Sequence, residues 1–257
     1  MKIKILHQLF IRHNKIDPSK QSIWFLHGFG DSGLAYQEVF DAPIQEAFNI
    51  YVVDLPGFGV SPIQENYLSI KDQASLLTTI IKEETLNQQA VNIVAHSLGA
   101  LIGTWVSQNL PGKVNYYLSI EGNLTEADSY FSSKPLEYET AEAFSQAFEK
   151  EVFELGKSQG RFKRYFSSLK LANPEGMRNW SITSQEHIKT NKCGYEFKAL
   201  QCKKLYIWGD KDTPQATQDF IQKHQLPNRL YPGIGHWHMS ENAEEFYRDI
   251  QSLIELK

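Results

Sequence analysis

Acyl transfer by an enzyme needs a hydroxyl, a base to take its proton and an acid to steady the base. This chain supplies all three in a fixed order, each just after a short apolar run. Val91-Asn92-Ile93-Val94 leads into Ala95-His96-Ser97-Leu98-Gly99. A serine between a strand and a helix, with small residues two positions to either side, has the pattern of a nucleophile elbow. The turn is sharp, so bulk at the flanking positions would collide, and the hydroxyl stands above the sheet edge beside the next backbone N–H. Downstream, Lys204-Leu205-Tyr206-Ile207-Trp208 reads as a buried strand ending in Gly209-Asp210-Lys211-Asp212. Asn228-Arg229-Leu230-Tyr231 reads as a short strand followed by Pro232-Gly233-Ile234-Gly235-His236. Ser97, Asp212 and His236 therefore occur in the order such chemistry requires. His238 competes for the base. Asp210 competes for the acid and equally suits capping a turn. Glu121 ends the strand-like run Asn115–Ile120, and there a supporting or substrate-contact role is expected.

These residues must be held by particular elements. Ser22-Ile23-Trp24-Phe25-Leu26 is a short apolar strand followed by His27-Gly28-Phe29-Gly30-Asp31-Ser32-Gly33. Glycines there allow a tight turn and close backbone approach. The N–H groups of Phe29 and Leu98 can then point at one spot, as an oxyanion hole does. His27 and His96 are expected to brace the two oxyanion loops through ring hydrogen bonds. Asp54-Leu55-Pro56-Gly57 reads as a strand end and tight turn beneath the pocket, and Glu241 as a hydrogen-bonding acid where the last helix begins. Strands are expected over residues 2–11, 22–27, 50–54, 90–95, 114–121, 203–208 and 228–231. Helices are expected over residues 34–47, 69–86, 98–109, 214–224 and 241–256. Their alternation predicts an α/β fold, a mostly parallel central sheet with helices on both faces.

Taken together, His27-Gly28-Phe29-Gly30, Asp54-Leu55-Pro56-Gly57-Phe58-Gly59-Val60-Ser61, Ala95-His96-Ser97-Leu98-Gly99, Gly209-Asp210-Lys211-Asp212 and Gly235-His236 resemble the α/β-hydrolase-fold serine hydrolases. The resemblance implies Ser97 as nucleophile, Asp212 as acid, His236 as base, and Phe29 and Leu98 as oxyanion donors. It implies no cofactor and no metal. Some relatives take their acid from the strand that Glu121 ends, where a supporting or substrate-contact role is expected here. Alanine instead of glycine fills the first elbow position, a small change that is expected to leave the turn intact. A serine at position 97 argues against haloalkane dehalogenases and epoxide hydrolases, whose likeness would demand aspartate there.

From Gly122 to about Leu200 the alternation stops, and Phe144, Phe148, Val152 and Leu155 recur at helical spacing. In the family this is the place of a helical cap, inserted after the sixth strand. The expected division is a core of residues 1–121 and 201–257 with a cap of residues 122–200. The cap is rich in rings, among them Tyr130, Phe131, Phe144, Phe148, Tyr165 and Trp180. Most are expected to hold cap helices together and the rest to form an apolar pocket. Glu121, Phe144, Phe148, Trp180 and Trp237 are the expected substrate contacts. The reading is thus a serine esterase acting on a small hydrophobic acyl or aromatic ester.

Arg161-Phe162-Lys163-Arg164, with Lys157, Lys170 and Arg178, reads either as solvated surface or as a docking patch for an acidic acyl carrier protein. Chain size, cap position and the Val53–Gly59 segment are similar to the carrier-protein methyl ester esterases of biotin synthesis. Two rivals use the same fold. One is a menaquinone-pathway lyase, whose relatives carry an arginine soon after the elbow, where this chain has Leu98-Gly99-Ala100-Leu101-Ile102-Gly103. The other is a ligand receptor with little turnover. The net charge of −4 over 257 residues makes neither nucleic acid nor an anionic membrane an obvious partner. Residues 1–12 alternate like a strand and not like a leader, and no run approaches the ~20 apolar residues of a membrane span. Cytoplasmic residence is the expectation. Cys193 and Cys202, the two cysteines, leave a disulfide open.

Overall fold

Short apolar runs set the centre of the molecule. In the computed structural model, which describes residues 1–85 and 90–255, β3 (Ser22–Leu26), β4 (Asn49–Val53) and β5 (Val91–His96) are buried at every position. Strands buried on both faces are what a parallel sheet between two helical layers requires. With β1 (Lys2–Leu6), β2 (Leu9–His13), β6 (Val114–Ile120), β7 (Lys203–Gly209) and β8 (Asn228–Tyr231), they form one eight-stranded sheet of order β1-β2-β4-β3-β5-β6-β7-β8. Pairing is antiparallel between β1, β2 and β4, and parallel from β4 to β8.

The expected strand over 2–11 is in fact a hairpin. His7 and Gln8 form its two-residue turn with φ of 47° and 67°, and Leu6 pairs with Leu9. Positive φ at both central residues matches the twist of a tight hairpin.

The helices are α1 (Ile44–Ala47), α2 (Ile70–Glu84), α3 (Gly99–Asn109), α4 (Ala141–Ser158), α5 (Gly160–Leu169), α6 (Pro174–Lys189), α7 (Lys192–Ala199), α8 (Gln215–Lys223), α9 (His238–Glu241) and α10 (Ala243–Glu255). α2 starts where the Ser69 side chain accepts from the Asp72 N–H, and it buries Ile70, Ala74, Leu77 and Ile81 along one stripe. The expected helix over 34–47 is broken into a 3₁₀ turn, Gly33–Phe40, and α1. Pro43 stands between them, with no N–H to continue a helix. The expected ends at 86 and 256 lie outside the described residues.

Two features of this frame place the site. First, the connection β3→β4 runs toward one sheet edge and β4→β5 crosses back past β3. Ligands bind at such a reversal, beyond the carboxyl ends of the strands. Here those ends carry His27 and Ser97. Second, four cap-like helices, α4 to α7, lie between β6 and β7. Tyr165 Oη of α5 donates to Phe29 O at 2.9 Å, the Ser168 and Ser32 hydroxyls meet at 3.0 Å, and Asn173 N–H donates to Gly57 O at 2.8 Å. Arg164 pairs with Glu38. The cap is thereby fastened to the loops that follow β3 and β4. Cys193 and Cys202 are both free thiols.

Beneath the site, the fully buried Asp54 carboxylate is a hub. It accepts from Arg12 Nη1 at 2.6 Å, from Gly33 N–H at 2.7 Å and from Val60 N–H at 2.9 Å. The Asp54-Leu55-Pro56-Gly57 segment thus shapes loops, as expected.

Candidate active site

Ser97 follows β5 with φ of 52°, the left-handed region that a non-glycine residue enters only under constraint. The constraint is visible in the packing. A methyl on Gly99 would lie 2.0 Å from His27 O, and one on Gly28 would lie 2.7 Å from Ser97 Cβ. The extra methyl of Ala95 is accommodated because Gly103 opposes it: a Cβ at Gly103 would be 2.9 Å from Ala95 Cβ. The elbow therefore stands without its first glycine.

Gly28 packs against Ser97, so the next peptide N–H, that of Phe29, belongs to the same corner as the N–H of Leu98. Both residues are buried, and among the described residues neither N–H donates a hydrogen bond. Buried, unpartnered backbone donors are rare in folded proteins. His27 fixes one of them. Its Nδ1–H donates to Gly28 O at 2.8 Å, the carbonyl of the peptide that carries the Phe29 N–H. Its Nε2 accepts from Leu55 N–H at 3.0 Å, so a neutral ring satisfies both bonds. Burial holds His27 below its ordinary pKa and favours that neutral form.

His236 lies across the same cavity as Ser97. Its backbone N–H donates to Asp212 Oδ2 at 2.8 Å, and its carbonyl accepts from His96 Nε2 at 2.9 Å. His96 therefore braces the base loop and not an oxyanion loop, and burial keeps its own ring well below the ordinary pKa. Glu241 clasps the same loop through the N–H groups of Gly235, at 3.2 Å, and Trp237, at 3.1 Å. His238 is buried against Tyr231, away from the cavity. Asp210 accepts the Gly233 N–H at 2.7 Å and serves the turn.

The two remaining carboxylates occupy different surroundings. Asp212 forms an ion pair with cap residue Arg161, Oδ2 to Nη1 at 2.9 Å. Glu121 is buried, and its Oε2 lies 3.8 Å from His236 Nδ1.

The cavity beside Ser97 holds about 10 Å³, room for roughly one water molecule. Of the expected substrate contacts only Trp237 lines it. Phe144 and Phe148 are buried behind Phe29, with ring centroids 6.2 and 6.3 Å from its ring. Trp180 stacks on His27, with ring centroids 6.2 Å apart, and lies tilted against Phe58 at 4.5 Å. The wall is instead made by Phe29, Tyr130, Phe131, Tyr165 and Trp237, with Asp31 and Asp128 as its acids. Asp31 accepts from Trp237 Nε1 at 3.2 Å, and burial raises its pKa. Asp31 stood in plain view within the oxyanion loop. Asp128 is signalled only by a capping box with Thr125. Within the expected docking patch Arg161 and Arg164 pair with Asp212 and Glu38, Lys157 with Glu154, and Lys170 with Glu149.

The sheet, the elbow and the loop order define a class, and the chain belongs to it: the alpha/beta hydrolase fold family, whose model matches residues 21–243. Among solved structures it is similar to an esterase from Exiguobacterium antarcticum, with a TM-score of 0.76 and 16% identity over 96% of this chain and 95% of that one. It is also similar to a thermophilic esterase from Thermogutta terrifontis, with a TM-score of 0.73 and 14% identity over 96% and 93%. Those likenesses are of fold. In sequence, it is 30% identical over 95 residues to the pimeloyl-[acyl-carrier protein] methyl ester esterase of Vibrio parahaemolyticus, which is 37% of this chain and 34% of that protein. The match thus spans about a third of that relative. No helix among the described residues is long and apolar enough to cross a membrane.

Proposed function

We propose that the protein hydrolyses carboxylic esters of hydrophobic acyl or aromatic substrates through an acyl-enzyme on Ser97. The observation that carries this reading is the pair of buried, unpartnered N–H groups of Phe29 and Leu98 beside a serine held at φ 52°. His236 takes the Ser97 proton as the hydroxyl oxygen attacks the carbonyl carbon. The developing oxyanion accepts from Phe29 and Leu98, each donor worth about 3–4 kcal/mol in comparable sites. His236 then gives its proton to the departing alcohol, and later takes one from the water that frees the acid. One of two carboxylates beside the loop, Asp212 or Glu121, steadies the imidazolium. Residues 1–121 and 201–257 carry this chemistry, and residues 122–200 supply much of the pocket wall. Phe29, Phe131, Tyr165 and Trp237 favour an apolar acyl or aryl group. Asp31 and Asp128 disfavour a carboxylate-bearing substrate, which weighs against the lyase. A carrier-bound methyl ester is the second reading, supported by the 95-residue likeness. The internal pairing of Arg161 and Arg164 weighs against their use in carrier docking.

The test is hydrolysis of p-nitrophenyl esters from acetate to laurate by the wild type and by Ser97→Ala. Activity with a preferred chain length in the wild type, and none in the variant, is the expected result. Equal rates in both would overturn the reading.

A further inference from the structure

The two carboxylates near His236 share its loop, yet only one is placed to orient the ring. We infer that Glu121 orients the His236 imidazole, while Asp212 holds the cap to the site through Arg161. The inference deepens the esterase reading above and rests on it.

Three observations converge on Glu121. Its Oε2 is the only carboxylate oxygen within 4 Å of a His236 ring nitrogen among the described residues, at 3.8 Å from Nδ1. That is longer than a hydrogen bond, and such bonds often tighten only in the substrate complex. Second, the carboxylate is built into its position. Oε1 accepts from Gly209 N–H at 2.6 Å and from Thr213 Oγ1 at 2.9 Å, and Oε2 accepts from Thr213 at 2.9 Å. Among the described residues no lysine or arginine pairs with it; the rings of His236 and His238 both face this buried carboxylate, and His236 is the one within 4 Å. Third, Glu121 has φ of 47° at the end of β6, directly beside Ser97 at the end of β5. Its backbone N–H donates to Ile207 O of β7 at 2.9 Å, which pins the turn. A strained non-glycine residue of this kind persists where its surroundings over-determine it, and such residues cluster at functional sites.

Asp212 is committed elsewhere. Arg161 Nη2 donates to Oδ1 at 3.3 Å, Nη1 lies in ion-pair contact with Oδ2 at 2.9 Å, and Oδ2 also takes the His236 backbone N–H. Arg161 sits on the cap helix α5 and approaches Glu241 at 3.9 Å as well. The guanidinium thus closes the cap on the base loop. In the reaction the proton from Ser97 goes to His236 Nε2, and Nδ1–H turns to the Glu121 carboxylate, which accepts the bond while the proton stays on the ring. The other groups facing His236 are the His96 ring at 4.6 Å and the Tyr130 ring at 5.7 Å, with His238 two residues on.

The experiment measures kcat, KM and the pH profile of kcat/KM with p-nitrophenyl butyrate for wild type, Glu121→Gln, Glu121→Asp, Asp212→Asn and Arg161→Met. Loss of the orienting acid typically lowers kcat by about 10⁴-fold in serine hydrolases. Glu121→Gln is expected to lose about 10³-fold or more and to move the acid limb to lower pH, since the imidazolium loses its counter-charge. A merely structural role would leave that limb in place. Glu121→Asp recovers part of the rate. Asp212→Asn and Arg161→Met are expected to stay within about tenfold of the wild-type kcat, to share a change in KM and to leave the acid limb unmoved. A thousandfold loss with a shifted limb in Asp212→Asn, or equal losses in both acid variants, overturns the assignment. If Glu121→Gln does not fold, Asp212→Asn decides alone by the same criterion. A wild type no faster than Ser97→Ala sinks the esterase reading itself and is told apart from these outcomes.

Discussion

At the scale of single residues, the site is dictated by what the backbone can tolerate. Gly99 packs where a methyl would stand 2.0 Å from a carbonyl oxygen of the neighbouring loop. The oxygen belongs to the main chain of His27, so nothing flexible can yield. Gly99→Ala is therefore expected to lower the melting temperature sharply or to prevent accumulation of folded protein, as read by circular dichroism melts. That rigidity is why Ser97, Gly99 and the loop glycines were legible in the sequence: backbone sterics admit few residue types there. The choice of acid was less legible. Asp212 has the right spacing after its strand, but its partner is decided by Arg161, fifty-one positions away on the cap. Glu121 was marked by its place at a strand end, but its orienting role rests on a backbone angle and on donors from Gly209 and Thr213, which no local pattern encodes. The cap rings teach the same lesson. Phe144, Phe148 and Trp180 were recognisable as buried aromatics, but residue type does not say whether a ring faces a cavity or another ring.

Among the elements, the parallel strands were readable because consecutive burial leaves a continuous apolar run, and β8 begins and ends where its sequence indicates. The errors fall where a turn lacks its usual residues. The β1–β2 hairpin turns on His7 and Gln8, with no glycine or asparagine to mark it. The segment after β3 keeps helical composition while Pro43 divides it. Loops also join elements in ways that no periodicity shows. Asp54, fully buried at the end of β4, collects Arg12 from β2 and the N–H groups of Gly33 and Val60. Arg12→Met would leave that carboxylate buried without its cation. A loss of about 3–5 kcal/mol in unfolding free energy is expected, measured by urea denaturation, because breaking one side of a buried pair is costly. A change below about 1 kcal/mol would mean that the amide donors alone suffice.

Across the whole molecule, four buried imidazoles among the described residues, His13, His27, His96 and His238, are held by burial below their ordinary pKa. In the unfolded chain each takes up a proton near pH 6.5. Below that point the unfolded state binds more protons, so the stability from keeping these rings neutral is complete above about pH 6.5 and falls on acidification. Each ring contributes up to about 1.4 kcal/mol per pH unit. Asp31 and Asp128 act in the opposite sense: burial raises both, Asp128 to about 6, so native protein gains those protons first and the decline flattens below that pH. Urea melts from pH 7.5 to 5.5 are expected to show this loss, and His238→Gln to show a shallower one; a profile identical to wild type would remove His238 from the account. The space beside Ser97 admits about one water, and Tyr165, Arg161 and Arg164 hold the cap down over it. No acyl chain enters that space while the cap is shut, although the hydrolytic water does. Under the proposed reaction the shut form is thus that of the enzyme between turnovers, since an acyl group attached to Ser97 needs the same space that now admits only a water. Admission of the ester is the separate event, and it waits on the cap's excursions from the loops beneath.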